Sequence, residues 1–164
     1  MAGNATKKLS ALLFRGMDKM RHRGAFDVAA MTPEGKAFTG FGTTRQILLV
    51  TFKRSGEAMP TPINYGVAGG KIYVRTDAST GKVKRLRNNP RVVVVPSTFR
   101  GKPRGQAVAG HARVLPESEH AHADRVIAAN WSKPMTLLER SLDKGGEAFG
   151  ISTAYIEITP APEP

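Results

Sequence analysis

The chain has 164 residues, 40% of them hydrophobic and 23% charged, and carries a formal net charge of +12 with no cysteine. That composition describes one globular domain rather than a disordered chain. The absence of cysteine rules out a disulfide framework, a thiolate metal site and a cysteine nucleophile.

The first 23 residues are basic and place Leu9, Leu12, Leu13, Met17 and Met20 at helical spacing, which predicts an amphipathic helix over 7–23. Its role is expected to be structural, with a lid over a bound ligand's tail and membrane-surface attachment as alternatives. Its apolar stretches are too short for a signal peptide, and no run in the chain reaches the roughly 18 residues of a membrane span. The expected location is cytoplasmic, with membrane attachment disfavoured. Residues 24–42 hold four glycines, a proline and scattered aromatics, and read as a connecting arm or a short irregular hairpin.

From Arg45 the texture becomes β-like. Gln46–Phe52 is a strand and Lys53–Gly56 a turn. Ala58–Tyr65 is a second strand interrupted by Pro60 and Pro62. Proline gives nothing to a sheet ladder, so this strand must be an edge or face a ligand on one side. Ala68-Gly69-Gly70 turns into the strand Lys71–Thr76. A short helix follows, beginning near Thr80 or Gly81, with Asp77, Ser79 or Thr80 as its cap, and Pro90 stops it. Arg91–Val95 is a strand buried on both faces, and Gly101–Gly105 turns into the strand Gln106–Leu115. Helices are expected over Glu117–Ala129 and about Pro134–Leu142, then a last strand Phe149–Thr159. The sum is a meander of about six strands that curls into a sheet or barrel.

Charge is unevenly spread. Residues 1–104 carry a net +15 and residues 105–164 a net −3. Lys82, Lys84, Arg85, Arg87, Arg91, Arg100, Lys102 and Arg104 lie in a stretch with no acid, which points to an anionic partner, with a solvated basic face as the plain alternative. Within it, a strand end, a hydroxyl-bearing loop and a helix start at Gly81-Lys82 make an anion site from free backbone N–H groups. This is not a P-loop, because Thr76 and Val83 occupy positions that need glycine and Ser/Thr. Nucleic acid is disfavoured, since only Phe99 interleaves with the cations. His120 and His122 stand two apart, so they read as solvated helix residues rather than a metal pair. His111 reads as a core or interface residue.

Met59-Pro60-Thr61-Pro62-Ile63-Asn64, Tyr73-Val74-Arg75-Thr76 and Gly81 through Pro90 together resemble the pyridoxamine 5′-phosphate oxidase-like (PPOX-class) split-barrel family, and within it the branch of coenzyme F420-dependent oxidoreductases. The resemblance covers roughly half the chain. It implies a mainly β (α+β) fold, a split β-barrel of the FMN-binding type with an N-terminal helix and short peripheral helices. The organisation it suggests is an N-terminal helix and arm over 1–42, the barrel over 43–160 and a frayed tail over 161–164.

It also implies a deazaflavin cofactor, with FMN as the alternative. Thr61, Pro62, Ile63 and Asn64 would run along the tricyclic ring, their backbone groups reading its polar edge. Arg75 and Thr76 would sit beside the ribityl phosphate. Ser79, Gly81, Lys82 and Val83 would hold the phosphate, and Lys84 or Arg85 would meet further negative charge. Arg104, Gln106 and Trp131 could reach across from the partner of a homodimer that carries its cofactors at the subunit interface, although Trp131 reads first as packing. Pro60 and Tyr65 stand where the FMN oxidases carry phosphate-clasping cations, which argues for the deazaflavin, as does the surplus of positive charge. The implied activity is hydride transfer to a small conjugated or aromatic substrate, with Gly66–Gly70 and the arm shaping its pocket and no proton donor evident. The other readings are an FMN-dependent oxidase or reductase of the same fold, and a non-catalytic cofactor- or haem-binding protein.

Overall fold

The structure, a computed structural model, describes residues 23–28, 31–131 and 152–162. The helices expected over 7–23 and 134–142, and the first residues of the strand expected from Phe149, lie outside the described residues.

Among the described residues six strands are present: β1 (Gln46–Phe52), β2 (Ala58–Ala68), β3 (Lys71–Asp77), β4 (Arg91–Ser97), β5 (Val108–Val114) and β6 (Thr153–Pro160). The described residues also form the helices α1 (Gly24–Asp27), α2 (Gly81–Asn88) and α3 (Glu117–Ala129). The strands close into one antiparallel barrel in the order β1-β2-β3-β6-β5-β4. Closure is made by β1 and β4, with Gln46 opposite Ser97 and Val50 opposite Val93.

Burial follows the two-residue period of a strand. Ile47, Leu49, Ile63, Tyr65, Ile72, Val74, Ile156 and Ile158 fill the barrel. Leu48 and Val50 point the other way and pack beneath Ala25 and Val28 of the arm. β1 is therefore covered on both sides, which is why it reads as an unbroken apolar run.

The barrel is plugged at both mouths. At the mouth where β3 ends and β4 begins, α2 inserts Val83 and Leu86 into the core. At the other, where β1 begins and β4 ends, the arm inserts Phe38 and Phe41. Phe41 stacks edge-on against Tyr65 at 6.3 Å. The Tyr65 hydroxyl accepts from the Gly42 N–H at 2.6 Å. The arm is thus a plug carrying the short helix α1, not a hairpin.

Boundaries differ from expectation in a few places. β2 runs on to Ala68, because Gly69 and Gly70, both at positive φ, make a two-residue turn. β4 continues through Pro96 to Ser97, and β5 starts later, at Val108. α3 occupies the span expected for it, with Pro116 at its N-cap position.

α3 lies across the outer face of β2 and β3. It buries Ala123 and Ile127 against Tyr73 and Tyr155, with Trp131 packed alongside. Gly66 lets it approach, and Asn130 then donates its side-chain amide to the Tyr65 carbonyl at 2.9 Å.

Below α3, Glu157 is buried within a charged cluster. It accepts from Tyr73 Oη at 3.0 Å and Arg113 Nε at 3.0 Å, with Lys71 Nζ at 3.3 Å. Burial alone would push its carboxyl up. The hydrogen bonds from Arg113, Tyr73 and Lys71 outweigh that and hold it below the ordinary value. A carboxyl depressed on folding stabilises the fold above its unfolded pKa, and the contribution is lost as pH falls through the lower, folded value. Replacing Glu157 with Gln should therefore cost about 1–3 kcal/mol near neutrality. The gap to wild type should close in acid, as read by denaturant unfolding at pH 7 and pH 3. A constant gap at both pH values would show that the carboxylate charge contributes nothing.

Candidate functional site

β2 is paired with β1 along Ala58–Asn64, but with β3 only along Tyr65–Ala68. The β3-facing edge of residues 58–64 therefore has no strand partner among the described residues, and Arg75–Asp77 of β3 diverge beside it toward β6. This opening is the split in the barrel. The expectation for a proline-interrupted strand holds here in a local form: β2 is internal over its second half and an edge over its first.

The prolines also fix what the edge presents. The ladder to β1 survives them, so it runs through Met59, Thr61 and Ile63. Pro60 and Pro62 turn their missing N–H groups toward the split. Over Pro60–Pro62 the split edge then offers two carbonyl acceptors and no N–H, the next N–H being that of Asn64, and an N–H-bearing ring edge would suit it. The side chain of Ile63 is buried in the core, so only its backbone is available. Pro62 packs outward against Gly101. Asn64 accepts from Gln46 Nε2 at 2.9 Å, and Gln46 Oε1 is buried with no partner among the described residues. Gln46 is a polar contributor that the sequence reading missed.

At the helix end of the split, four elements converge. Thr76 from β3 accepts a hydrogen bond from Lys82 Nζ at 2.9 Å. Arg85, one turn into α2, donates through Nε to Thr51 Oγ1 of β1 at 2.7 Å. The Thr51 hydroxyl in turn reaches the Met59 carbonyl of β2 at 3.5 Å. Side chains on a helix lean toward its N-terminus, which carries the Arg85 guanidinium back over the first turn. A methyl group on Gly81 would stand 2.9 Å from Arg85 Nη1, so the absent side chain makes the room.

Thr80 occupies the N-cap position without capping; its hydroxyl donates to the Asp77 carbonyl at 2.8 Å instead. The Gly81 N–H, pointing out of the helix start, has no hydrogen-bond partner among the described residues. Gly81 N–H, Lys82, Arg85 and the Thr76 hydroxyl thus form a compact cradle of donors at a positive helix end. The set fits a phosphate. Thr51, which the sequence reading did not select, ties the cradle to the barrel wall.

Other expected residues fall elsewhere. Arg75 neighbours Thr76 in sequence, but a strand turns adjacent side chains to opposite faces. Arg75 points outward and pairs with Asp124 of α3 at 3.4 Å, an acid that also accepts from Tyr155 Oη at 3.0 Å. Val83 contacts nothing outside the core: its side chain is fully buried and its N–H donates to the Thr80 carbonyl. Ser79 is held in a turn by Asp77, whose Oδ1 accepts from both the Ser79 N–H and its hydroxyl at 2.7 Å. A hydroxyl committed to a carboxylate is a poor phosphate donor. Lys84 is exposed on the outer side of α2. Thr61 is half-buried on the inward face of β2, on the same strand as Met59.

The acid-free stretch of sequence is not one patch. Lys82, Lys84, Arg85, Arg87 and Arg91 stand at the α2 end, while Arg100, Lys102 and Arg104 follow β4 at the arm end. The seven residues of β4 hold the groups about 20 Å apart. Arg104 and Gln106 line a cavity formed with the arm of their own chain. Trp131 packs at the end of α3, its indole N–H buried without a partner among the described residues. Among the described residues no helix is long and apolar enough to cross a membrane.

No family model and no curated protein matches the chain. Solved structures do. A candidate 5-nitroimidazole antibiotic resistance protein from Bacteroides thetaiotaomicron superposes with a TM-score of 0.54 at 14% identity, over 74% of this chain and 75% of its own. A conserved hypothetical protein from Mycobacterium tuberculosis gives 0.54 at 19% identity, over 80% and 87%. A haem storage protein from Vibrio cholerae gives 0.50 at 10% identity, over 74% and 84%. At these identities the likeness establishes the fold, the split β-barrel that the sequence leads one to expect.

Proposed function

We propose that the chain is an oxidoreductase that holds a phosphate-bearing tricyclic cofactor along the split, a deazaflavin of the F420 type in preference to FMN. The observation that carries this reading is the cradle of Gly81 N–H, Lys82, Arg85 and Thr76 at one end of an unpaired strand edge. A phosphate in the cradle leaves the ring to lie along residues 61–64, beside the Gln46–Asn64 pair.

Two features support the deazaflavin. Tyr65 is wholly buried with its hydroxyl committed to Gly42, and Pro60 is buried as well, so neither position brings a charged group to a phosphate. The α2 end also carries three cations, Lys84, Arg87 and Arg91, beyond the two in the cradle, which suits a tail with further negative charge. These five of the eight cations stand at the α2 end.

When bound, the reduced deazaflavin supplies a hydride from C5. The chain's own part is to clasp the phosphate, present backbone acceptors to the ring edge and close one ring face with the β2 wall. The same reading includes a homodimer with the cofactor at its boundary. The exposed rings of Phe26 and Phe99, at 54% and 71% exposure, are apolar surface that a second copy can cover.

Titration of the protein with the deazaflavin, FMN and haemin in parallel, followed by Trp131 fluorescence and cofactor absorbance, separates the readings. Micromolar binding of the deazaflavin with FMN at least about tenfold weaker, a gap of 1.4 kcal/mol, is the expected result. Preferential FMN binding would overturn the cofactor choice, and preferential haemin binding would overturn the enzyme reading.

A further inference from the structure

The cavity at the arm end, about 160 Å³, is walled by the arm on one side and the β4–β5 connection on the other. Its lining includes Arg104, Gln106, Thr39, Phe41, Pro96 and Val108, with no aspartate or glutamate among the lining residues. The walls are fixed by the chain itself. Glu34 and Gly35 N–H groups both donate to the Ala107 carbonyl, at 3.2 and 3.1 Å. Gly35 lies so close to β5 that a methyl group there would strike Val108 Cγ2. The Thr43 hydroxyl closes the next turn onto the Gly40 carbonyl at 2.9 Å. On the opposite wall, Arg104 N–H donates to the Pro96 carbonyl at 2.7 Å, pinning the backbone that carries this side chain.

Unpaired polar side chains are ordinary on a surface. Here, however, Arg104 and Gln106 line one walled space together with the half-buried Phe41, with Pro96 and Val108 behind them. A guanidinium fork matches a carboxylate bidentately, and the apolar wall asks for a flat or branched body behind it. The volume equals about five waters, which limits the guest to roughly one ring and its acid group.

We propose that this cavity is a binding site for a small aromatic or branched monocarboxylate, with Arg104 taking the acid group, Gln106 beside it and Phe41 against the body. The site is separate from the phosphate cradle, about the length of β4 away, and does not depend on the cofactor proposed above.

Benzoate is the probe, with benzamide as its uncharged counterpart, and backbone amide shifts in ¹⁵N-labelled full-length protein are the readout. Benzoate should saturate with a dissociation constant of about 1 mM or below, with shifts centred on Gly35, Gly40, Gly105 and Gln106. Benzamide and the Arg104→Gln variant with benzoate should each be weaker by about tenfold or more. Lys82→Ala, which damages the phosphate cradle, should leave benzoate binding unchanged, so failure of the cofactor reading and failure of this one are distinct. No saturable shift, shifts centred elsewhere, equal binding of benzamide, or an Arg104→Gln variant that binds benzoate as the wild type does would each overturn the proposal. Arg104 is exposed and its side chain packs into no core, so the variant is expected to keep the wild-type spectrum away from the cavity.

Discussion

Lys82→Ala should weaken binding of the phosphate-bearing cofactor by about 1.5–3 kcal/mol, the worth of a charge-assisted hydrogen bond, or roughly ten- to a hundredfold in dissociation constant. Arg85→Ala should do at least as much, because it removes both a donor over the first turn of α2 and the bond to Thr51 that holds α2 against β1. The two side chains flank one space, so their effects should fall short of additive in the double variant. Arg85→Lys keeps the charge and loses the fork, and should recover only part of the loss. Titration with the native cofactor reads all four variants, and thermal unfolding separates lost contacts from lost fold. A Lys82→Ala dissociation constant within about twofold of wild type, where 1.4 kcal/mol is tenfold, would remove Lys82 from the site.

The second large effect concerns the architecture around the site. A methyl group at Gly66 would stand 2.7 Å from the Ile127 nitrogen and closer still to the Val126 carbonyl. Both are backbone atoms of α3, so no rotamer change relieves the clash and the helix must lift from β2. That movement stretches the Asn130 contact with the Tyr65 carbonyl and opens the packing of Ile127 and Ala123 against Tyr73. Overpacking of this kind costs about 1–3 kcal/mol or somewhat more. For a chain of this length that is a fall in Tm of about 2–12 °C. Gly66→Ala with an unchanged Tm would show that α3 does not bear on β2 as described. Gly56→Ala serves as the control: it adds backbone strain at positive φ but meets nothing within 4 Å.

Much of the barrel was legible in the sequence because its strands carry their own signals. β1 stands out as an apolar run, and Gly69-Gly70 marks the β2–β3 turn. Pro116 followed by helical spacing delimits α3 to the residue. That the meander forms a barrel was readable from the strand count and the resemblance, but the pairing that closes it was not, since nothing local links Gln46–Val50 to Val93–Ser97. The prolines of β2 were readable as a pairing defect, but only the register shows that they face the split.

The site was legible in part. The helix start at Gly81-Lys82 carries a local signature, and the structure brings Lys82 to Thr76. Reading the segment as a line, however, placed Arg75 beside Thr76, although strand alternation already separates the two faces. The same linear reading pooled eight cations that β4 divides. Asp77 looked like a helix cap and proved to be the acceptor for Ser79. Gln46 and Thr51 were overlooked because each sits at the end of an apolar strand, where a polar residue reads as a boundary. A polar side chain at 9% or 1% exposure on a strand covered on both faces is instead a contact waiting for a partner.

The central claim is that the phosphate of the cofactor sits on the first turn of α2, with the ring along β2. Amide shift mapping of the ¹⁵N-labelled protein during cofactor titration addresses it directly. The account predicts the largest shifts at Gly81 and Lys82, with accompanying changes at Thr76, Arg85 and Asn64. Shifts confined to the arm and the β4–β5 connection, with Gly81 and Lys82 unmoved at saturation, would contradict it.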